Sequence, residues 1–244
     1  WQGRALVVGQ GGIGRALVRE LELRAPRLQV LATSRQPRQA ADPRAPRAPG
    51  GDLLPLELTD DASLAGLADR LAGGAPLRIV INTAGLLHEG ELQPEKRLGQ
   101  VRRAHLERNF AVNGFGPLLL AQAIEPLLPR DQPCHFASLS ARVGSIGDNQ
   151  LGGWYSYRAS KAAQNQLLRC LAIEWGRKLP QACVSLLHPG TTATGLSRPF
   201  QASVPPHRLF SPEQAASQLL EVLEGLGPGQ SGGFWAWDGQ PIPW

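Results

Sequence analysis

The sequence predicts an α/β fold: one doubly wound parallel sheet with helices on both faces, built as a single domain. Three observations predict it. Short apolar runs alternate with amphipathic segments of helical period along nearly the whole chain. Within the runs, apolar residues are mostly continuous, the mark of strands buried on both faces. The composition, 42% hydrophobic and 18% charged over 244 residues, supplies a sizeable core and is too apolar for a disordered chain.

Each element follows in order. "RALVVG" (4–9) ends on glycine and reads as the first buried strand. "GRALVRELELRA" (14–25) has Leu17 and Leu21 one helical turn apart. "LQVLATS" (28–34) is the second strand. The Pro/Arg/Ala stretch 35–51 reads as a mobile loop inside the domain, because the strand–helix alternation resumes beyond it. "LLPLELT" (53–59) is the third strand, and "DASLAGLADRLAG" (61–73) an amphipathic helix capped by Asp60 or Asp61. "RIVINTAG" (78–85) is the fourth strand, a long helix spans about 104–124, and "CHFASLS" (134–140) is the fifth strand. A second long helix covers 156–178, with Leu167, Leu168, Leu171 and Trp175 apolar. "ACVSLLHPG" (182–190) is the sixth strand. Residues 195–210, rich in proline and apolar side chains, read as a substrate lid. Ser211, Pro212 and Gln214 open a helix over 211–226 as a capping box with proline in the first turn. "GGFWAWDG" (232–239) is the last strand.

Composition also bounds function. The formal charge is +5 and the pI about 9.6, with part of the arginine excess in 35–51. No basic run is interleaved with aromatics, which argues against nucleic acid and for a phosphorylated small molecule. No apolar run approaches ~18 residues, so no membrane span is expected. The N-terminus carries no signal peptide and no initiator Met, and reads as a trimmed start. Cys134, Cys170 and Cys183 are odd in number and fit no zinc spacing; they read as free buried thiols in a reducing cytoplasm, with no metal site.

The first strand runs into "GQGGIG" (9–14), a G-x-G-x-x-G pattern formed by Gly9, Gly11 and Gly14 around Gly12 and Ile13. Between a strand and a helix, such glycines let the backbone approach a pyrophosphate, and the helix end offers free N–H groups. This is the dinucleotide crevice of a Rossmann-type sheet. The second strand ends in Thr33, Ser34 and Arg35, with no carboxylate before Asp42. An arginine fork beside two hydroxyls suits a 2′-phosphate, so the expected cofactor is NADP(H), with Arg15 and Arg38 adding charge. Asp60 is placed to accept from the adenine amino group, and Asn82, Ala84 and Gly85 give the fourth strand a small-residue end against the cofactor.

The chain has two tyrosines, Tyr155 and Tyr157, both close to Lys161. Tyr157 lies four residues before Lys161, on the same helix face, while Tyr155 lies six before it. "NTAG" (82–85), "YRASK" (157–161) and "PGTTAT" (189–194) fall in the order and spacing of the short-chain dehydrogenase/reductase family, which the chain resembles over nearly its whole length. "RVGSI" (142–146), "GGWYSYRASKAA" (152–163) and "WDGQPIPW" (237–244) resemble its branch of C-factor-like and sniffer-like carbonyl reductases. The resemblance implies a small-molecule carbonyl or alcohol substrate and a homodimer or homotetramer. It implies Tyr157 as acid/base, with a lysine ammonium at Lys161 lowering the phenol pKa and binding the nicotinamide ribose. It makes Asn113 the residue that orients a water behind that lysine, and Pro189, Gly190, Thr191 and Thr194 the nicotinamide contacts. Tyr155 is left to line the substrate pocket or pack.

Two departures stand out. The glycine loop is one residue shorter than the family's. Aligned on Gly144, the family's catalytic serine position holds Ala141. Either the strand end bulges and Ser140 serves as the donor to the substrate oxygen, which is the expectation, or that oxygen has fewer donors here. The second case fits an alternative function, an NADP(H)-binding regulatory protein with little turnover.

Overall fold

Among the described residues, the apolar runs become the seven parallel strands of one sheet. A computed structural model describes residues 1–35 and 53–244; Arg38, Asp42 and nearly all of the 35–51 stretch lie outside the described residues. In sheet order the strands are β3 (Leu54–Pro55), β2 (Leu28–Ser34), β1 (Gly3–Val8), β4 (Leu77–Asn82), β5 (Cys134–Leu139), β6 (Ala182–His188) and β9 (Gly233–Ala236). Sheet order reverses between β1 and β4, which opens a crevice at the carboxyl ends of these strands.

Side chains alternate across the sheet and so feed two cores. Leu6, Val80, Phe136 and Val184 pack on one face under α2 (Asp61–Leu71), α4 (Gly116–Ile124) and α5 (Tyr155–Lys178). Ala5, Val7, Ile81 and Ala137 pack on the other under α1 (Gly12–Arg24) and α6 (Pro212–Gly225). Trp175 anchors the first core: it is fully buried, meets Phe136 edge-on, and its indole N–H donates to Glu125 at 3.0 Å.

The structure departs from sequence expectation in several places. The third strand is two residues, not seven, because Pro55 has no N–H for a ladder and Asp60 N closes a turn onto Glu57 O at 3.2 Å. Asp60, not Asp61, caps α2, its carboxylate accepting from Ala62 N at 3.0 Å. Ser211 Oγ accepts from Gln214 N at 3.0 Å, the serine half of the expected box. The long helix is interrupted: α3 (Arg103–Asn109) passes into a π-helical turn, Phe110–Phe115, before α4. Cys134 and Cys183 are buried as expected, but Cys170 is exposed on α5. A separate two-stranded parallel ribbon, β7 (Thr191–Thr192) with β8 (Leu209–Phe210), stands apart from the main sheet. No helix among the described residues is long and apolar enough to cross a membrane.

Candidate active site

The glycine loop sits at the crevice. Gly9 has φ +96°, and its N–H donates to Thr33 Oγ1 at 3.3 Å. Gly11 precedes α1 with no side-chain cap, so the first N–H groups of this helix have no capping side chain. A Cβ on Gly11 would meet nothing within 4 Å, whereas one on Gly14 would lie 2.1 Å from Gly9 O. The loop is therefore open on one side and tightly packed on the other. Thr194 Cγ2 closes on Gly12, 2.9 Å from where a Cβ would sit, and Ile13 packs into the second core. An uncapped helix N-terminus behind an open glycine is a fit for a pyrophosphate.

At the end of β2 the three expected phosphate ligands separate. Thr33 is 1% exposed, and its hydroxyl faces the glycine loop. Ser34 is half-buried at the strand end. Arg35 is exposed and pairs with Glu89 at 3.6 Å, while Arg108 takes the other Glu89 oxygen at 3.1 Å. The two guanidinium groups hold the Glu89 carboxyl below its ordinary range. Glu89 is fixed by a tight hairpin in which Glu89 N and Leu92 N each donate to the other's carbonyl.

Tyr157 and Lys161 share the buried face of α5, at 7% and 3% exposure. The lysine Nζ lies 6.0 Å from the centre of the tyrosine ring. It donates to Leu139 O and to Gln164 Oε1, both at 2.8 Å. Among the described residues, no hydrogen bond engages the Tyr157 hydroxyl, although that of the buried Ser160 is bonded. Burial pushes the Tyr157 phenol up and Lys161 down to about 7. Burial is the cause of both shifts. Desolvation dominates and favours the neutral form of both groups. A neutral phenol beside an accessible cleft can give up a proton.

Asn113 is fully buried at the π-helical turn, a kind of insertion found often at functional sites. Its Oδ1 accepts from Leu86 N at 2.7 Å, and its Nδ2 donates to Leu86 O, Asn109 Oδ1 and Ser160 Oγ. The side chain fastens the segment after β4 to the helix below it. Gly85 opens the space above: a Cβ there would meet Asn113 Oδ1 and Lys161 Nζ, each at 3.7 Å, and Leu196 Cδ1 at 3.9 Å. Ala84 N donates to Asn82 Oδ1 at 3.2 Å, and Asn82 itself is fully buried against Ser138.

Ser140 does not behave as expected. Its Oγ donates to Asn165 Oδ1 at 2.7 Å inside the layer between β5 and α5. The bulge that would free it is missing: β5 keeps unbroken register with β6, and Ser140 N continues the ladder to Leu187 O at 2.8 Å. Strand phase puts Ser138 and Ser140 on the same face, toward α5. Ala141, next in line, brings no hydroxyl.

After β6, Gly190 takes φ +71°, and Phe210 packs against it so closely that a Cβ would lie 2.5 Å from the ring. Pro189 leads into it, and Thr191 and Thr192 form β7. The expected lid folds as two short 3-10 turns, Arg198–Ser203 and Pro206–Arg208, and ends in β8. Across the crevice His88 Nε2 lies 3.2 Å from Leu196 O. Tyr155 is 41% exposed at the start of α5.

Three contributions escaped sequence reasoning. Thr83 Oγ1 donates to Val8 O at 2.8 Å and pins the glycine loop; a hydroxyl between Asn82 and Ala84 was its only sequence signal. Glu95, 3% exposed, accepts from Ser156 N at 3.2 Å and from the Ser156 hydroxyl, and so caps the helix that carries Tyr157. Trp154, at φ +50°, makes the turn into that helix with its ring against Tyr157 and Phe200. Neither residue carries a local pattern that announces these roles.

The chain is similar to known proteins. The family model described as short chain dehydrogenase matches residues 4–204. A Rhodococcus sp. (strain AD45) protein, 1-hydroxy-2-glutathionyl-2-methyl-3-butene dehydrogenase, is 35% identical over 192 residues, covering 78% of each chain. The C-signal of Myxococcus xanthus is 34% identical over 170 residues, 69% of this chain and 93% of that one. The NADPH-bound carbonyl reductase from chicken fatty liver superposes with a TM-score of 0.81 at 27% identity, over 100% of this chain and 99% of that one.

Proposed function

The chain belongs to the short chain dehydrogenase family, and from that premise we propose that it is an NADPH-dependent carbonyl reductase with Tyr157 as its acid. The observation that carries this is the buried pair on α5: Tyr157, whose hydroxyl makes no hydrogen bond among the described residues, and Lys161 beside the open Gly85. A structural relative that binds NADPH supports the cofactor class. The residues that would hold the cofactor are Gly9 to Gly14 and the α1 N-terminus for the pyrophosphate, Ser34 and Arg35 for the 2′-phosphate, and Asp60 for adenine. Ala84, Gly85 and Lys161 would meet the nicotinamide ribose, and Pro189, Gly190, Thr191 and Thr194 the nicotinamide itself. When bound, NADPH supplies the hydride. The chain's own part is to hold the carbonyl compound under the 195–210 segment and deliver the Tyr157 proton to its oxygen. Lys161 lies beside that phenol, and Asn113 fixes the floor of the cleft. NADPH oxidation measured with a panel of aldehydes and ketones tests the proposal; no oxidation with any of them refutes it. The proposal includes a homodimer or homotetramer, which light scattering checks.

Cofactor preference has its own expected outcome. NADPH binds more tightly than NADH, and Arg35→Ala removes the difference, lowering NADPH affinity roughly ten- to a hundredfold as for one charge-assisted contact. Glu89→Gln releases Arg35 from its ion pair and raises NADPH affinity. Equal dissociation constants for the two cofactors in the wild type would sink this assignment.

A second reading, an NADP(H)-binding protein with little turnover, is favoured by one observation: the Ser140 hydroxyl is engaged by Asn165. It separates from the first through paired variants. Ser140→Ala is expected to cost about 1 kcal/mol of stability, as for a lost buried hydrogen bond, with little change in turnover. Ala141→Ser is expected to raise turnover by ~10-fold or more, since a single oxyanion donor is worth about 10²–10³ elsewhere. Loss of turnover in Ser140→Ala at unchanged stability would return Ser140 to the role of donor.

A further inference from the structure

We propose that Gln164 is a positioning residue for Lys161: its amide oxygen fixes the lysine's amine beside β5, and its amide nitrogen ties that contact to Ser138 and Asn82. This rests on the reading of Tyr157 and Lys161 as the proton-handling pair.

Gln164 is fully buried in α5, three residues after Lys161 and so on the same helix face. Leucine would fill a similar volume without a polar group to desolvate. Instead the amide is fully engaged. Its Oε1 accepts from Lys161 Nζ at 2.8 Å, and its Nε2 donates to Ser138 Oγ at 2.8 Å and to Leu139 O at 3.2 Å. The orientation is chemically forced, because the Leu139 carbonyl only accepts and the amide atom facing it must be the nitrogen, which leaves the oxygen for Lys161. Ser138 Oγ also accepts from Asn82 Nδ2 at 2.9 Å, and Asn82 Oδ1 accepts from Ala84 N at 3.2 Å. One continuous chain of hydrogen bonds therefore joins the turn after β4 to Lys161, beneath the open floor at Gly85. Two of the lysine's N–H groups point down, to Leu139 O and Gln164, which leaves the third for the cleft. Gly144 makes the approach possible: a Cβ there would sit 2.8 Å from Lys161 Cβ.

The groups around Lys161 explain why one amide matters. Tyr157, on the same helix, is the titratable group whose ring faces it. From β5 it meets Leu139, from the 142–144 turn Gly144, and it shares the space above Gly85 with the Asn113 amide. None of these carries charge, so the hydrogen bonds that Lys161 donates to Gln164 and Leu139 are what the described chain offers a protonated lysine against desolvation.

The test reads Lys161 directly. The sequence has three lysines, Lys96, Lys161 and Lys178, so this 244-residue chain labelled with ¹³Cε-lysine gives three signals, assignable with Lys161→Met. Gln164→Leu is expected to move the Lys161 titration to lower pH by about one unit, because a charge-assisted hydrogen bond is lost. Gln164→Glu keeps the shape, adds a carboxylate, and is expected to move it up by about one unit or more. Opposite shifts support the proposal. A Lys161 titration unchanged in either folded variant overturns it, and the isosteric glutamate keeps the test alive if the leucine variant fails to fold. Turnover is measured alongside: Gln164→Leu should lower kcat ~10-fold, on the scale of general acid–base effects, with KM for the carbonyl compound little changed. The NMR titration needs no turnover, so a wild type inactive on every carbonyl tested would refute the reductase reading and leave the Gln164 result standing.

Discussion

Tyr157→Phe is expected to lower carbonyl turnover by ~10²–10⁴, or about 3–5 kcal/mol of barrier, with the fold and NADPH affinity kept. The separation follows from the way the residue is held. Its ring is buried between Trp154 and the Lys161 side chain, and phenylalanine fills that volume equally well. Among the described residues the hydroxyl contributes no hydrogen bond to the fold, so its removal leaves no orphaned partner. The loss is then chemical alone. Thermal unfolding and a cofactor titration should match wild type while kcat collapses. Tyr155→Phe, at an exposed position, should have little effect. If the Tyr155 variant proves the more damaging, the proton comes from elsewhere.

The second large effect is expected at Gly14. In the middle of a helix, glycine to alanine ordinarily stabilises by about 1 kcal/mol. At Gly14 the sign reverses. A new Cβ would lie 2.1 Å from Gly9 O and 2.8 Å from Thr83 Oγ1, and neither neighbour is a flexible side-chain tip. The start of α1 must lift off β1, at a cost of about 3 kcal/mol or more, the upper range of overpacking. That displacement also spoils the open N–H cradle, so NADPH affinity should fall with stability. Gly176 in α5 is the matched control, because a Cβ there meets nothing within 4 Å. Denaturant midpoints should therefore move in opposite directions for Gly14→Ala and Gly176→Ala, and a common direction would contradict the packing described here.

What was legible in the sequence was local. The strand–helix alternation and the glycine loop depend on period and on conformational freedom, and both are written in consecutive residues. The Tyr157–Lys161 pair likewise follows from four-residue spacing on one helix. What escaped depends on partners distant in sequence. Gln164 finds Ser138 from 26 residues away, and Ser156 finds Glu95 from 61. The π-helical turn has no code of its own: it lies where Asn113 is pulled to both backbone groups of Leu86. The Asn165 contact of Ser140 is hidden for a subtler reason. Spacing names the residue, but strand phase decides which way it faces, and phase depends on β5 pairing with β6 without a bulge.

The small β7–β8 ribbon has a consequence for how this protein can change. It ties both ends of the 193–208 segment to one another at a fixed point beside the sheet. A loop whose ends are already joined tolerates a new length cheaply, since doubling it costs only about 0.6 kcal/mol. The segment behaves as a cassette. Beyond Thr194 its content can be exchanged, by descent or by a protein engineer, while the ribbon holds its ends and the hydrogen-bonded chain from Asn82 to Lys161 stays in place. Selectivity and proton chemistry are thereby free to evolve on separate schedules.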